Sequence, residues 1–181
     1  MVNNFANSQT YQNLINSFNI EAVESTKYRM SAVKARRDGY EQIANIFDLT
    51  ARNEQQHAEI WLRFMLQGEM PTTLKNLQDA AASEKYEGTD LFMQYAETAR
   101  SEGYADIANM FEGIAIIERH QQFRFSQLAA NIENNQVFCK PNSTVWVCMI
   151  CGNLVWSECA PEICPICRYP QGFYQLNCEN Y

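Results

Sequence analysis

The chain has 181 residues, of which 46% are apolar, and its formal net charge is −7. This size suits one ordinary domain followed by a small one, with enough apolar content for a packed core. The acidic balance favours cations over nucleic acid, because a phosphate-binding surface needs clustered Lys and Arg. No apolar run reaches the roughly 18 residues of a membrane span, so no membrane partner is expected either.

Helical periodicity runs from residue 8 to residue 133, a stretch that contains a single proline, Pro71. The pattern predicts four long helices at about 8–37, 40–67, 84–101 and 104–133. A shorter helical piece at about 72–82 is expected in the connection between the second helix and the third. Gly39 separates the first two helices, and Gly103 begins the fourth.

An internal repeat links the second helix to the fourth. When the sequence is aligned with itself so that Gly39 falls on Gly103, seven more residues fall on identical ones. These are Tyr40, Ile43, Ala44, Asn45, Phe47, Ala51 and Glu54, which fall on Tyr104, Ile107, Ala108, Asn109, Phe111, Ala115 and Glu118. This match predicts two helical hairpins related by a pseudo-two-fold axis and joined by one long crossover. A weaker similarity, at a slightly longer displacement, lays Glu21 and Glu24 on Glu87 and Asp90.

Each predicted helix carries a glutamate on its apolar face, and the four are Glu21, Glu54, Glu87 and Glu118. Burying carboxylates together is costly unless cations neutralise them, and iron or manganese suits such a site. The Glu-x-x-His spacing puts Glu54 and His57 on one helical face, where Glu54 can bridge two metals while His57 binds one. The alternative is that these glutamates face solvent, as most glutamates do.

Three further polar residues are interpreted individually. His120 lies two residues after Glu118, about 200° around the helix, so it is expected at the surface or between helices. Gln121 occupies the position equivalent to His57 in the repeat. Glu24 is expected to be solvated.

After Glu133 the composition changes to Asn, Pro, Ser, Cys and aromatic residues, which is typical of a small metal-stapled module. The predicted domains are therefore 1–137, a helical bundle, and 138–181, a metal module with short β-strands.

Two Cys-x-x-Cys motifs lie in this module, and their cysteines are Cys148, Cys151, Cys164 and Cys167. Their spacing brings four thiolates to the corners of a tetrahedron that holds one zinc or one iron ion. A pair of disulfides is the alternative. The polar first ten residues lack a secretory signal and the cysteine total of seven is odd, so metal and a reducing cytoplasm are favoured. Cys139, Cys159 and Cys178 lie outside the motifs and are expected to be plain thiols.

These residues resemble rubrerythrins over nearly the whole chain. The matching pieces are Asn13-Leu14 through Phe18 to Glu21 and Tyr28, Gly39 to Ala44, Glu54 to Glu59, Tyr86-Glu87, Glu102 to Tyr104, Glu118, Arg124-Phe125 and Ala160 to Pro165. The resemblance implies a cytoplasmic non-haem iron protein that reduces hydrogen peroxide to water. It also implies a mainly α fold, in which a ferritin-like four-helix bundle with a di-iron centre precedes a rubredoxin-like Fe(Cys)₄ module. Iron is thereby favoured over zinc in the four-cysteine site, with zinc or manganese substitution as the alternative.

The resemblance also implies roles for individual residues. Glu21 and Glu87 would be terminal ligands, Glu54 and Glu118 would bridge the irons, and His57 would be the nitrogen ligand. Catalysis would then depend on Glu54, His57 and Glu118, with Tyr28 as a nearby hydrogen-bonding residue.

Two metal positions depart from the family pattern. Asp90 stands where the family has a glutamate that exchanges with the histidine, and its side chain is one methylene shorter. Gln121 stands where the family has a second histidine, and it offers only a neutral carbonyl oxygen, a poorer ligand for Fe²⁺ than imidazole.

The implied partners follow from the electron path. The Fe(Cys)₄ site would pass electrons to the di-iron centre of a partner subunit in a head-to-tail homodimer. A separate reductase would supply them, because no Gly-x-Gly-x-x-Gly motif follows a strand here. The competing interpretations are a ferritin-like iron oxidase or iron-handling protein, and a non-catalytic metal-binding electron carrier.

Overall fold

A computed structural model describes residues 4–179 of the chain. Its α-helices are α1 Gln9–Arg37, α2 Glu41–Met65, α3 Thr73–Tyr86, α4 Phe92–Ser101 and α5 Ala105–Glu133, and its strands are β1 Cys139–Cys148, β2 Leu154–Cys159 and β3 Tyr174–Leu176. The predicted fold class, mainly α with a small β module, is confirmed. Within the described residues, none of the helices combines the length and the apolarity needed to cross a membrane.

The third long helix differs from the prediction. A π-helical turn, Glu87–Leu91, joins α3 to α4, so that residues 73–101 form one continuous helix. The separate short helix predicted at about 72–82 is therefore the first part of this continuous helix. No glycine or proline lies between Thr72 and Gly88, so the sequence contains nothing that would end the helix there.

The chain divides into two compact units, Met1–Pro71 and Thr72–Tyr181. In the first unit, α1 packs against α2 as an antiparallel hairpin. The seam of this hairpin is made of small side chains, since Ala32, Ala35 and Ala44 are buried with Phe47 packed against them. The hydroxyl of Ser8 accepts a hydrogen bond from the Tyr11 backbone N–H and so caps α1.

In the second unit, α5 packs against α3 and α4. The seam repeats that of the first unit at the displacement read from the sequence, with Ala96, Ala99 and Ala108 buried against Phe111. The turn between α4 and α5 is held by the backbone N–H of Tyr104, which donates to the Ala99 carbonyl at 2.8 Å.

Polar contacts at the hairpin turns repeat as well. Arg36 donates to Asn45 and forms an ion pair with Asp48 in the first unit. At the same relative positions, Arg100 donates to Asn109 at 3.2 Å and to Glu112 at 2.8 Å. The repeat read from the sequence is therefore a repeat of packing and of hydrogen bonds.

The strands form one antiparallel sheet in the order β2-β1-β3. Its core contains Trp146, Cys148, Ala160, Cys164 and Tyr174. The Trp146 indole N–H donates to the Ser157 carbonyl at 3.1 Å, which ties β1 to β2 through a buried side chain. The predicted domain boundary at 137/138 falls in the segment between α5 and β1.

The expectation that Cys139 and Cys159 are plain thiols is wrong, because the structure joins them in a disulfide. The two residues are register partners at the ends of β1 and β2. An irregularity in the strand pairing between Cys139 and Thr144 concealed this register from the sequence. Cys178 is an exposed free thiol.

Candidate metal centres

The four thiols of the Cys-x-x-Cys motifs converge in the sheet module and are not disulfide-bonded. The Sγ atoms of Cys148 and Cys167 are 3.6 Å apart, and those of Cys151 and Cys164 are 3.7 Å apart. All four Sγ atoms lie within 4.8 Å of one another. This is the arrangement of a closed tetrahedral thiolate site, and its donors suit iron or zinc.

The two motifs adopt matching backbone turns. The backbone N–H of Gly152 donates to the Cys148 carbonyl at 2.9 Å, and that of Arg168 donates to the Cys164 carbonyl at 3.0 Å. Both donors have positive φ, 75° for Gly152 and 65° for Arg168. Glycine adopts this conformation without steric cost, whereas arginine does not, so the second turn keeps its geometry at some expense to the backbone.

The pKa values of the thiols favour the binding of a cation. Burial raises the pKa of Cys164, but hydrogen bonds from the Cys167 backbone N–H and the Tyr174 hydroxyl outweigh it and lower the pKa to about 6. The Tyr169 backbone N–H lowers the pKa of Cys167, yet burial and the neighbouring sulfurs raise it to about 12. Cys164 therefore ionises readily, whereas the ionisation of Cys167 is unfavourable. A bound metal ion would stabilise the thiolate form of both.

The first helical hairpin brings together Glu21 from α1 with Glu54 and His57 from α2. His57 Nδ1 lies 3.0 Å from Glu54 Oε2 and 3.4 Å from Glu21 Oε2. One turn of α2 separates Glu54 from His57, which is why both side chains reach the same point. Three of the predicted ligands thus occupy one site, with two oxygen donors and one nitrogen donor.

Charge is unevenly shared in this group. The hydrogen bond with Glu21 and partial burial raise the pKa of Glu54, while the same hydrogen bond lowers the pKa of Glu21. Glu54 is therefore the carboxyl of the pair that takes up a proton more readily, and Glu21 is the one that ionises more readily. The carboxylates raise the pKa of His57, and the largest cause is the hydrogen bond that its protonated ring donates to Glu54. A metal ion would displace these protons, because it needs neutral imidazole and ionised carboxylates.

The second unit holds a group made only of carboxylates, Glu84, Glu87 and Glu118. The side chain of Glu84 ends beside Glu118, and burial followed by the Glu118 hydrogen bond raises the pKa of Glu84. The hydroxyl of Ser83 donates to Glu87 Oε1 at 3.0 Å. Three half-buried carboxylates within 4.8 Å of one another form a hard oxygen donor set that suits a divalent cation.

The remaining predicted residues lie around this second group. Gln121 does not belong to it, but its amide Nε2 donates to Glu118 Oε2 at 2.9 Å. Asp90 is exposed and accepts a hydrogen bond from the Thr89 hydroxyl at 2.6 Å, outside the group. His120 is exposed, and the structure does not bring it to the carboxylates.

The sequence pattern did not single out Glu84, and the reason lies in the helix register. In the first unit, the hydroxyl of Ser25 donates to the Ala51 carbonyl at 2.8 Å. The residue that lies against the equivalent carbonyl, that of Ala115, is Gly88, whose added Cβ would come within 2.9 Å of it. Ser25 therefore corresponds to Gly88 in the third helix, and by the same displacement Glu21 corresponds to Glu84, not to Glu87.

The π-helical turn accounts for this change of register. It inserts one residue between Gly88 and Phe92, so the displacement between the two units is one position longer after the turn than before it. Arg119 of α5 holds the turn in place, since its guanidinium donates to the Gly88 carbonyl at 2.8 Å. The Glu-x-x-Glu spacing of Glu84 and Glu87 was the signal available in the sequence.

Two carboxylate groups on repeated helices and one four-thiol group are donor sets typical of a non-haem metalloprotein. The family model described as rubrerythrin matches residues 12–129. The chain is 36% identical to rubrerythrin-1 of Clostridium acetobutylicum, over 96% of this chain and 97% of that protein. It is 38% identical to rubrerythrin of Clostridium perfringens with the same coverage, and 35% identical to rubrerythrin of Porphyromonas gingivalis over 96% of this chain and 92% of that protein. The chain belongs to the rubrerythrin family, whose members bind iron and are generally oxidoreductases.

Proposed function

We propose that this chain is a non-haem iron peroxidase that reduces hydrogen peroxide to water. In this proposal the two helical carboxylate groups supply the ligands of a carboxylate-bridged di-iron centre, and the four thiols hold a rubredoxin-type iron that relays electrons. The observation that carries the proposal is the presence of both kinds of donor group on one chain of this family.

The donor sets fit iron in both kinds of group. Imidazole with carboxylates suits ferrous and ferric ions, and four thiolates suit iron as well as zinc. The hydrogen bond with Glu21 raises the pKa of Glu54, and burial followed by the neighbouring Glu118 raises the pKa of Glu84. A divalent cation would relieve the repulsion between carboxylates in each group. Glu21, Glu54 and His57 would hold iron in the first unit, and Glu84, Glu87 and Glu118 would hold iron in the second.

Two ferrous ions, when bound, would supply the two electrons that reduce one molecule of peroxide. The role of the protein is to hold the ligands in place and to allow proton delivery. Reduction to two waters consumes two protons, which carboxyl groups near the site or water would supply. Gln121 would orient Glu118 through its amide hydrogen bond.

We also propose that the chain works in the cytoplasm as a head-to-tail homodimer served by an external electron-donating reductase. The dimer is supported by large apolar side chains on both units with about half or more of their surface exposed, among them Ile46 at 58%, Phe64 at 60% and Ile116 at 61%. Exposed apolar surface of this kind commonly marks an association surface. Sedimentation measurements on the purified protein test it, and a monomer at micromolar concentration would contradict it.

The direct test of the activity uses protein that was purified and reduced anaerobically. Peroxide is added in excess with a reductase and reduced pyridine nucleotide, and iron and zinc per chain are measured on the same sample. Many turnovers per chain, faster with peroxide than with O₂, support the proposal. Absence of turnover in a protein with all iron sites filled would refute it.

One observation favours a second candidate. The group of Glu84, Glu87 and Glu118 has no nitrogen donor, and such all-oxygen sets bind ferrous iron less tightly than sets with imidazole. A chain that takes up and releases iron there would act as a ferritin-like iron oxidase or iron-handling protein. Formation of stored ferric iron from Fe²⁺ and O₂, without catalytic peroxide consumption, would distinguish this function from peroxidase activity.

A further inference from the structure

A second cysteine site lies in the sheet module, apart from the four-thiol group. Cys139 is the first residue of β1 and Cys159 is the last residue of β2, and the two face each other as register partners. Their Cα atoms are 4.0 Å apart, and their sulfur atoms are bonded. Neither residue belongs to the metal-binding groups.

The pair is accessible from solvent but connected to the core of the module. Cys159 is exposed and Cys139 is half-buried. The residue after Cys159, Ala160, is buried in the same core cluster as Cys148. Its backbone N–H donates to the carbonyl of Phe138, the residue before Cys139, at 2.8 Å. The backbone therefore holds the two cysteines opposite each other independently of the bond between their sulfurs.

The cysteine pair and the four-thiol group are connected through β1. The strand β1 begins at Cys139 and ends at Cys148, so one end of the strand carries the disulfide and the other end carries a metal ligand. The loop closed by the disulfide spans 20 positions and contains both cysteines of the first Cys-x-x-Cys motif. A covalent link at this place restricts the unfolded chain around half of the metal site.

We propose that Cys139 and Cys159 form a reversible dithiol/disulfide pair that hydrogen peroxide oxidises directly. The thiolate of Cys159 attacks one peroxide oxygen, the O–O bond breaks, and hydroxide leaves and takes a proton to become water. The resulting sulfenic acid of Cys159 is attacked by the thiol of Cys139, which forms the S–S bond and releases a second water. Two thiols are oxidised and one peroxide is reduced to two waters, and a dithiol reductant reverses the change by thiol–disulfide exchange.

Exposure sets the order of attack. Reactive cysteines are those that solvent reaches, and Cys159 is the more exposed of the two. Cys139 is therefore the resolving residue. This chemistry needs no helical carboxylate and no bound iron, so it does not rest on the peroxidase activity proposed above.

The test uses the iron-loaded full-length protein, reduced with dithiothreitol and desalted without oxygen. Hydrogen peroxide is added, free thiols are alkylated after unfolding, and the cysteine-containing peptides are analysed by mass spectrometry. The expected result is a Cys139–Cys159 crosslink that grows with peroxide dose and disappears on renewed reduction, while Cys178 stays alkylated. Either continued alkylation of both residues at high peroxide or a crosslink that dithiothreitol cannot reduce in the folded protein would overturn the proposal.

Matched variants separate the two roles. In Cys139→Ser, Cys159 should accumulate as a sulfenic acid that dimedone traps, whereas Cys159→Ser should leave Cys139 largely reduced at the same dose. The reverse labelling pattern would overturn the assigned order. Oxidation of the pair should persist in Glu54→Ala, because peroxide reacts with the thiol itself. Loss of the crosslink in that variant would show that the pair is oxidised through the helical metal site and would refute direct attack.

Discussion

The two helical hairpins are built on one plan, yet their carboxylate groups differ. Both use a seam of buried alanines and the same arginine contacts at the turn. The first group contains His57, whereas the second has Gln121 at that position and a third carboxylate, Glu87, in the site. A regular α1 supplies Glu21, but a π-helical turn follows Glu84.

The difference shows how a repeated scaffold can carry two unlike sites. The alanine seams fix the distance between helices, so Glu54 and Glu118 keep equivalent places. Single differences on that scaffold then alter the donors: a histidine becomes a glutamine, and Glu87, the first residue of the π-helical turn, joins the carboxylate group. The first group should therefore bind first-row metals more tightly than the second, because imidazole is the better ligand for them.

The largest effect is expected from removing the central carboxylate of the first group. Glu54→Ala should abolish peroxide turnover and deplete helical iron by more than the roughly 10- to 100-fold loss that follows removal of an outer-shell partner. Steady-state peroxide consumption and iron per chain are the measurements. His120→Ala is the control, because His120 is exposed and outside both groups, and it should change little. An equally damaging His120→Ala would show that the register of α5 is misassigned.

The next effect tests which residue of the third helix completes the second group. Glu84→Gln removes a charge without changing size and should weaken Fe²⁺ binding in anaerobic titrations by at least the roughly 10- to 100-fold that follows loss of an outer-shell partner. Asp90→Asn should have almost no effect, since Asp90 is exposed and bonded to Thr89. The opposite ranking of the two variants would restore Asp90 as the ligand and remove Glu84 from the site.

The sequence predicts features that depend on local patterns better than features that depend on helix register or strand pairing. Helix periodicity and the repeat that lays Gly39 on Gly103 are local patterns, so the hairpins and the positions of Glu54, His57 and Glu118 followed from them. The four-thiol group could be predicted from the spacing of the two Cys-x-x-Cys motifs. The place of Glu84 depended on an inserted residue in the π-helical turn, which leaves no composition signal. The disulfide depended on the register of β1 and β2, which is set by pairing across the sheet and not by either strand alone.

A third prediction concerns the packing beneath the π-helical turn, where the two units have Ser25 and Gly88 at equivalent places. A Cβ at Gly88 would lie 2.9 Å from the Ala115 carbonyl oxygen and 3.0 Å from the backbone nitrogen of Arg119. Gly88→Ala should therefore lower the free energy of unfolding, because a clash of this kind costs about 1–3 kcal/mol. Denaturant unfolding followed by circular dichroism measures the change.

Gly113→Ala is the matched control for that prediction. Gly113 lies in α5 with nothing within 4 Å of an added Cβ, so alanine should stabilise the helix by up to about 1 kcal/mol. The two substitutions should thus change the free energy of unfolding in opposite directions. A stabilising Gly88→Ala would mean that the turn shifts without cost and does not fix Glu87.

The smallest effect is expected from making the second group resemble the first. Gln121→His places an imidazole where the amide now donates to Glu118 at 2.9 Å, and imidazole binds ferrous iron better than a neutral amide does. The gain in Fe²⁺ affinity should be limited to about tenfold, because a ligating histidine also needs an outer hydrogen-bond partner to fix its ring. Side-by-side anaerobic titrations, with the four-thiol iron counted separately, measure this gain. Full occupancy of both helical groups in the unaltered chain would contradict the expected asymmetry, since it would show that three carboxylates hold iron as well as two carboxylates and a histidine.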